Sequence, residues 1–395
     1  MKSLLKDKYN ITDFISAGSF GKIFLAKDLK GNSICLKTEP KHNKHKELLR
    51  KEFNIYNMIT KYYISPMMYE ILETDNFNIL VLEKGGHNLD NIMNSLDKNS
   101  DTYRIYQNEG FFHFNPKQTI ILTYGLINII KWLHMNNILY KDIKPQNFIL
   151  NCSINNLSIY NVCYYLKIID FGLSEILTSD RLNEKEKIKV TEKGNFTGTK
   201  RYVSISTYYG YKQWFKDDME SLMYLIIYFY NGYLPWQNRL NNGNDKSFYK
   251  DMNILIEEFN MPKIYSNIWE EIKKVNTNRQ INYDKILFMI LEYYIKTYNN
   301  KVNDGKIYNM GANIFLLKDD IKKIKVGLLY NGNKKYKNNI WLNMKQNNLY
   351  GDNDDNYNIS IREVIIGRKY YKIDIINFGG LKLYNNYSIE WVETE

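Results

Sequence analysis

The first eighty residues break into short apolar-rich runs at 9–15, 22–26, 33–37, 71–73 and 78–82, with turn signals at Ala17-Gly18 and Lys30-Gly31-Asn32. This pattern predicts strands. Within that region the period changes over 47–59, where Leu48, Leu49, Ile55, Tyr56 and Ile59 fall on one helical face. Past Gly85-Gly86 long helical patterns take over. Asn115-Pro116-Lys117-Gln118 combines an N-cap, a proline at the first helical position and a capping-box glutamine ahead of the apolar run 120–133. A second helix opens at Asp217 or Asp218, is apolar on all sides to Tyr230, and closes at Asn231-Gly232 and Pro235. A helix of that kind is a buried one. Two polar stretches, 97–112 and 151–161, read as surface loops. From about residue 299, Asn/Lys/Tyr-rich segments alternate with apolar runs at 314–317, 326–329, 364–366 and 371–376, without a fixed period. Those runs suit a strand-rich appended module, while polar spacers such as 351–355 suit a loosely ordered tail. The expected fold is α+β and bilobal: a strand-rich lobe with one helix, a double-glycine hinge and a mainly helical lobe, followed by an extension.

Composition narrows the class. A chain of 395 residues holds two to three domain-sized units. With 44% hydrophobic and 25% charged residues and only 6 prolines, it is a folding sequence rather than a disordered one. Its most apolar stretch, 222–234, stops short of the roughly 18 residues a spanning helix needs. The first residues lack the long apolar core of a secretory signal. Cys35, Cys152 and Cys163 are scattered and form no paired framework. An intracellular protein, cytoplasmic or nuclear, with no membrane partner is expected. The net charge of +11 suits nucleic acid, a membrane surface or an acidic or phosphorylated substrate. The cations are mostly lysines dispersed among Asn, Ile and Tyr, a compositional background rather than a basic arm.

Several fragments carry chemistry. Gly18-Ser19-Phe20-Gly21 lies between two strand-like runs, where glycines let backbone amides approach phosphate oxygens, although an ordinary turn reads the same way. Glu52 falls in the middle of the apolar stripe of its helix. A carboxylate facing the interior needs a cation, and Lys37 at the end of the run Ile34-Cys35-Leu36 is the candidate; otherwise Glu52 turns sideways into solvent. The turn from Tyr140 to Asn147 packs Asp142, Lys144 and Asn147 between apolar runs, and Leu166-Lys167-Ile168-Ile169 leads into Asp170-Phe171-Gly172. Asn147 and Asp170 are hard oxygen ligands suited to Mg2+. Asp142 is placed to accept a hydroxyl proton and Lys144 to neutralise a phosphoryl group in transit.

In this order and spacing, residues 9–298 resemble a eukaryotic-type protein kinase, with a strand-rich lobe over 9–83, a hinge at 83–86, a helical lobe over 87–298 and the remaining 299–395 as an extension. The closer resemblance is to the casein kinase 1 family. It rests on the run from Thr197-Gly198-Thr199-Lys200-Arg201 to Thr207, on Asp217-Asp218-Met219-Glu220-Ser221-Leu222 and on Leu234-Pro235-Trp236-Gln237. Ser204-Ile205-Ser206 stands where that family carries Ser-Ile-Asn. The resemblance implies that Lys37, paired with Glu52, binds ATP phosphates under the loop Gly18, Ser19, Phe20 and Gly21. Adenine is expected between Ile23, Cys35 and Ile149, with Leu82 as gatekeeper and Glu83, Lys84 and Gly85 as hinge. Asp142 is expected as catalytic base beside Lys144 and Thr199, with Asn147 and Asp170 on Mg2+ and Asp218 anchoring the catalytic loop. Lys144, two residues after the base, points to serine/threonine acceptors.

The departures are equally specific. Ser16 replaces the first loop glycine, which should stiffen the phosphate cover. Lys141 replaces the arginine that in many kinases binds a phosphorylated activation loop, and lysine lacks the bidentate fork for that contact. Casein kinase 1 enzymes generally do without that phosphorylation, so constitutive activity is expected. Cys35 stands where alanine is usual. The family also has an anion pocket that reads an acidic or phosphorylated residue near the acceptor; Arg201 matches it, Lys200 and Lys212 can add to it, and Arg239 does not align cleanly. The expected protein is a monomeric kinase for acidic or phosphate-primed Ser/Thr sites. The alternatives are a pseudokinase scaffold that binds nucleotide without turnover, and a kinase whose C-terminal module binds nucleic acid.

Overall fold

The computed structural model describes residues 8–18, 21–41, 48–98, 102–106, 109–183, 188–191, 198–237, 251–275 and 281–298, together with the backbone of seven short strands beyond residue 300. The chain divides into two compact units, Met1–Tyr294 and Ile295–Glu395.

The first unit begins with β1 (Tyr9–Gly18), β2 (Gly21–Asp28) and β3 (Ser33–Pro40), then helix α1 (Leu48–Ile59), then β4 (Met68–Glu73) and β5 (Phe77–Glu83). The strands form one antiparallel sheet in the order β1-β2-β3-β5-β4. Ala26, Ile34, Leu36, Ile79 and Val81 make a closed core on this sheet. Helix α1 packs on β4 and β5 through the face that carries Leu49, Ile55, Tyr56 and Ile59. All five expected strands are present, each longer than its apolar run.

Beyond the double glycine come β6 (His87–Asn88) and the short helix α2 (Leu89–Asn94), capped by Asn88. The expected loop at 97–112 is corrected in its second half, where β7 (Tyr103–Tyr106) and β8 (Glu109–Phe112) form a hairpin. Its signal was hidden because tertiary contacts hold it. The Tyr103 and Phe112 rings lie 5.1 Å apart, Phe111 lies 5.2 Å from Tyr233, and Arg104 donates to the Asn231 side chain at 3.2 Å.

Helix α3 (Pro116–Met135) starts at the expected capping box: Asn115 Oδ1 accepts from the Gln118 amide at 2.8 Å, and Gln118 Oε1 accepts from the Asn115 amide at 3.1 Å. Next come β9 (Ile138–Leu139), β10 (Phe148–Leu150), α4 (Val162–Tyr165), β11 (Leu166–Ile168) and β12 (Glu175–Ile176). The other expected loop, 151–161, has no strand or α-helix, yet it is not purely a surface feature. Ile154, Leu157, Ile159 and Tyr160 are buried beneath its Asn and Ser residues.

After α5 (Ser179–Asn183) and α6 (Ile205–Tyr208), helix α7 (Phe215–Asn231) is buried along almost its whole length, as a helix apolar on all sides must be. It opens two residues before Asp217, because Asp217 sits at its third position and accepts from the Trp214 amide at 2.8 Å. It ends at Gly232, whose φ of 86° is the left-handed turn that glycine permits. Helices α3 and α7 pack together, with Phe114 edge-on to Phe229 at 5.2 Å. The unit continues with α8 (Met252–Glu258), α9 (Ile264–Lys273) and α10 (Tyr283–Tyr298), the last of which runs past its boundary. No described helix is long and apolar enough to cross a membrane.

Beyond residue 300 the described backbone of the second unit is all strand. The longest pair, Asn358–Ile366 and Lys369–Phe378, runs antiparallel through nine residue pairs from Asn358↔Asn377 to Ile366↔Lys369. Leu381–Tyr384 and Trp391–Glu393 both pair with the second of these strands.

The reciprocal cap at the start of α3 gives a stability test. Asn115→Ala leaves the Gln118 amide without its side-chain partner and should destabilise the protein by about 1 kcal/mol, read as a lowered urea midpoint. An unchanged midpoint would mean that the cap contributes nothing.

Candidate active site

The cleft is organised by a half-buried cation. Strand β3 carries Lys37 inward, and α1 carries Glu52 on its packed face, only 1% exposed. Lys37 Nζ reaches both Glu52 oxygens, at 2.9 and 2.7 Å, and Asp170 Oδ1 at 2.9 Å. Glu52 Oε1 also accepts from the Phe171 amide at 3.2 Å. The sideways alternative for Glu52 is therefore excluded. Burial alone would pull the Lys37 ammonium down, but Glu52 and Asp170 reverse this and hold it above its ordinary value. Burial likewise works to raise Asp170, and Lys37 overcomes it, so that carboxyl sits below the usual range. Burial pushes Glu52 up against the opposing pull of Lys37.

The segment after β9 is fixed from below by Asp218, near the start of buried α7. Its carboxylate accepts from the Tyr140 amide at 2.7 Å, the Lys141 amide at 2.9 Å and His134 Nε2 at 3.0 Å. Lys141 has a φ of 72°, a left-handed conformation unusual for a residue with a side chain. Asp142 follows, and three donors converge on its carboxylate: Thr199 Oγ1 at 2.8 Å from Oδ1, Lys144 Nζ at 2.6 Å and Asn147 Nδ2 at 3.1 Å from Oδ2. Thr199 comes this close because of Gly198, with φ 109°; a Cβ there would stand 2.5 Å from the Lys141 carbonyl oxygen.

Asn147 spends its amide hydrogens on the Asp142 carbonyl and carboxylate, which leaves its Oδ1 as a ligand atom. Asp170 Oδ1 takes Lys37 and, at 3.3 Å, the Gly172 amide. Asn147 Oδ1 and Asp170 Oδ2 are hard donors on the same cleft, and a divalent cation that keeps water and phosphate oxygens needs few others. Among the described residues no cluster of three His, Cys, Asp or Glu side chains forms a self-sufficient metal cage. The donor set fits a cation shared with a phosphate ligand.

The cleft encloses about 610 Å³. Ile23, Cys35, Leu82 and Ile149 line it, as do Glu83, Lys84 and Gly85, so the residues expected around adenine do share one cavity. Ser16 is also on its wall, opposite Ile23 in the β1–β2 ladder. Gly18 and Gly21 face each other at the ends of those strands, while Ser19 and Phe20 lie outside the described residues.

The basic group is less unified. The Arg201 guanidinium lies over the Tyr202 and Tyr228 rings at 5.9 and 5.7 Å, with the charge of Asp90 acting on it. Lys212 acts instead on Glu175, and Lys200 is exposed. Arg239 lies outside the described residues.

Two residues of this region had not been singled out as functional. Tyr56, one turn beyond Glu52, lines the cleft and meets Phe171 edge-on at 4.9 Å, and Phe171 in turn meets Tyr140 at 5.9 Å. This aromatic stack ties α1 to the two chemical loops, and the helical spacing of Tyr56 from Glu52 was its only sequence signal. Glu175 pairs with Lys141 Nζ, and nothing in its spacing announced it.

A family model described as "Protein kinase domain" matches residues 9–319, past the boundary expected at 298. That span covers both lobes and the charged residues of the cleft, and the chain belongs to the protein kinase domain family.

Proposed function

We propose that the protein is a serine/threonine kinase of casein kinase 1 type. It would transfer the γ-phosphoryl group of MgATP to protein hydroxyls, favour acidic or phosphate-primed sites and need no phosphate on its activation segment. The convergence of Thr199, Lys144 and Asn147 on the Asp142 carboxylate carries this reading. It joins a carboxylate, a cation and a hydroxyl beside Asn147, which lines the cleft, and that grouping supports a base with a phosphoryl-neutralising cation.

Lys37, held charged by Glu52 and Asp170, binds and orients the nucleotide phosphates. Asp142 aligns the acceptor hydroxyl and takes its proton as the phosphoryl group leaves ADP. Lys144 remains beside that carboxylate and offsets negative charge on the group in transit. Asn147 and Asp170 would hold Mg2+, which neutralises phosphate charge when bound. Lys144 supports serine or threonine as acceptor, and the half-buried Arg201 supports recognition of an anion near it. Against the scaffold reading, Lys37, Glu52, Asp142, Asn147 and Asp170 are all present and mutually engaged.

Purified protein should transfer labelled phosphate to casein or an acidic serine peptide, and Asp142→Asn should lower kcat by about 10²- to 10⁴-fold. No transfer by wild type, combined with nucleotide-induced thermal stabilisation, would establish the scaffold instead. Transfer should stop in EDTA and return with added Mg2+; activity that persists in EDTA would remove the metal from the proposal. In a peptide library, Arg201→Ala should cost about tenfold in kcat/KM on phosphate-primed peptides and little on unprimed ones. An equal loss on both would sink the anion pocket.

A further inference from the structure

Glu175 lies in β12, directly opposite Leu139 of β9 and so next to the catalytic loop. Two cations are in ion-pair range of it, and the charges of two more, from other parts of the unit, are coupled to it. Lys141 Nζ forms an ion pair with its Oε2, and Arg181 Nε stands 3.8 Å from its Oε1. The charges of Lys212 and of Lys51 on α1 also act on or respond to it. Glu175 is the carboxylate common to all four.

The cations belong to elements that must keep a fixed relation for the cleft to work. Lys51 is next to Glu52, the partner of Lys37. Lys141 directly precedes Asp142 and holds a left-handed backbone whose amide is tied to Asp218. Arg181 is 5% exposed, donates through Nη2 to the Gln213 carbonyl and lies 4.9 Å over the Trp214 ring, at the entrance to α7. Without an anion these like charges, partly shielded from water, would repel one another across α1, the catalytic loop and the segment after β12. A lysine offers point-charge donors rather than an arginine fork, and a single fixed carboxylate satisfies it. Burial works against ionisation of Glu175, but the Lys141 hydrogen bond and the surrounding charges outweigh it and hold the carboxyl below its usual range.

We propose that Glu175 is a positioning residue: a built-in counter-ion that holds Lys141, and through it Asp142, in working geometry without a phosphate on the activation segment. The inference rests on the kinase reading and gives its independence of phosphorylation a structural cause.

The test uses the full chain, treated with phosphatase, as wild type, Glu175→Gln and Glu175→Asp, with steady-state kinetics on an acidic serine peptide. Wild type should keep its kcat after treatment. Glu175→Gln should lose about tenfold in kcat while KM for ATP stays within about threefold. Glu175→Asp, which keeps the charge but is shorter, should retain more kcat than the closer isostere Gln. Nucleotide-induced thermal stabilisation should persist in both variants, which separates mispositioning from unfolding. If Gln is as active as wild type, if Gln equals or exceeds Asp, if both variants lose nucleotide stabilisation, or if phosphatase inactivates wild type, the proposal is overturned. Wild type that transfers no phosphate before or after treatment overturns the kinase reading itself, and this inference with it.

Discussion

Glu52 is a carboxylate on a helix face that is otherwise apolar, and the working part of the molecule depends on how that charge is balanced. Lys37 meets both of its oxygens and also holds Asp170, so one ammonium links β3, α1 and the strand exit at Asp170-Phe171-Gly172. Removing one member of a buried ion pair costs about 3–5 kcal/mol, because the charge left behind has lost both water and partner. The geometry of the cleft is therefore coupled to the folding of the small lobe. The edge-on rings of Tyr56, Phe171 and Tyr140 carry the same connection through packing.

The large lobe solves a related problem with Asp218. Helix α7 can be buried on all sides because its length is apolar, and its first turn supplies acids where the helix dipole favours them. Asp217 serves the helix itself, accepting from the Trp214 amide and from Ser204 Oγ at 2.7 Å. Its neighbour Asp218 serves the loop, binding two consecutive amides and His134. Asp142 is thus positioned from a helix buried along almost its whole length, and Lys141 is held at both ends, by Asp218 at its amide and by Glu175 at its ammonium.

Much of this was legible in the chain because local rules and chemistry coincide there. The stripe around Glu52, the box at Asn115 and Gln118, and the glycine after Asn231 are each set by neighbours three or four residues away. The Tyr103–Phe112 hairpin was not legible, since its strands are short and Phe111 and Arg104 find their partners at Tyr233 and Asn231, more than a hundred residues on. The polar stretch after Asn151 misled for a similar reason: its Asn and Ser residues mask Ile154, Leu157 and Ile159, which are buried.

By itself the sequence determined the two-lobed α+β organisation and the identity of the charged residues in the cleft. Periodicity and capping are short-range, and a charge on an apolar stripe declares its need for a partner before that partner is known. Beyond the pair of Lys37 with Glu52, tertiary structure alone decided which charges meet. It joined Lys37 to Asp170 across the cleft, gave Arg201 and Lys212 different carboxylate neighbours, and linked Glu175 to Lys51, Lys141, Arg181 and Lys212. Those pairings depend on distances between segments far apart in the chain, and no local pattern encodes them.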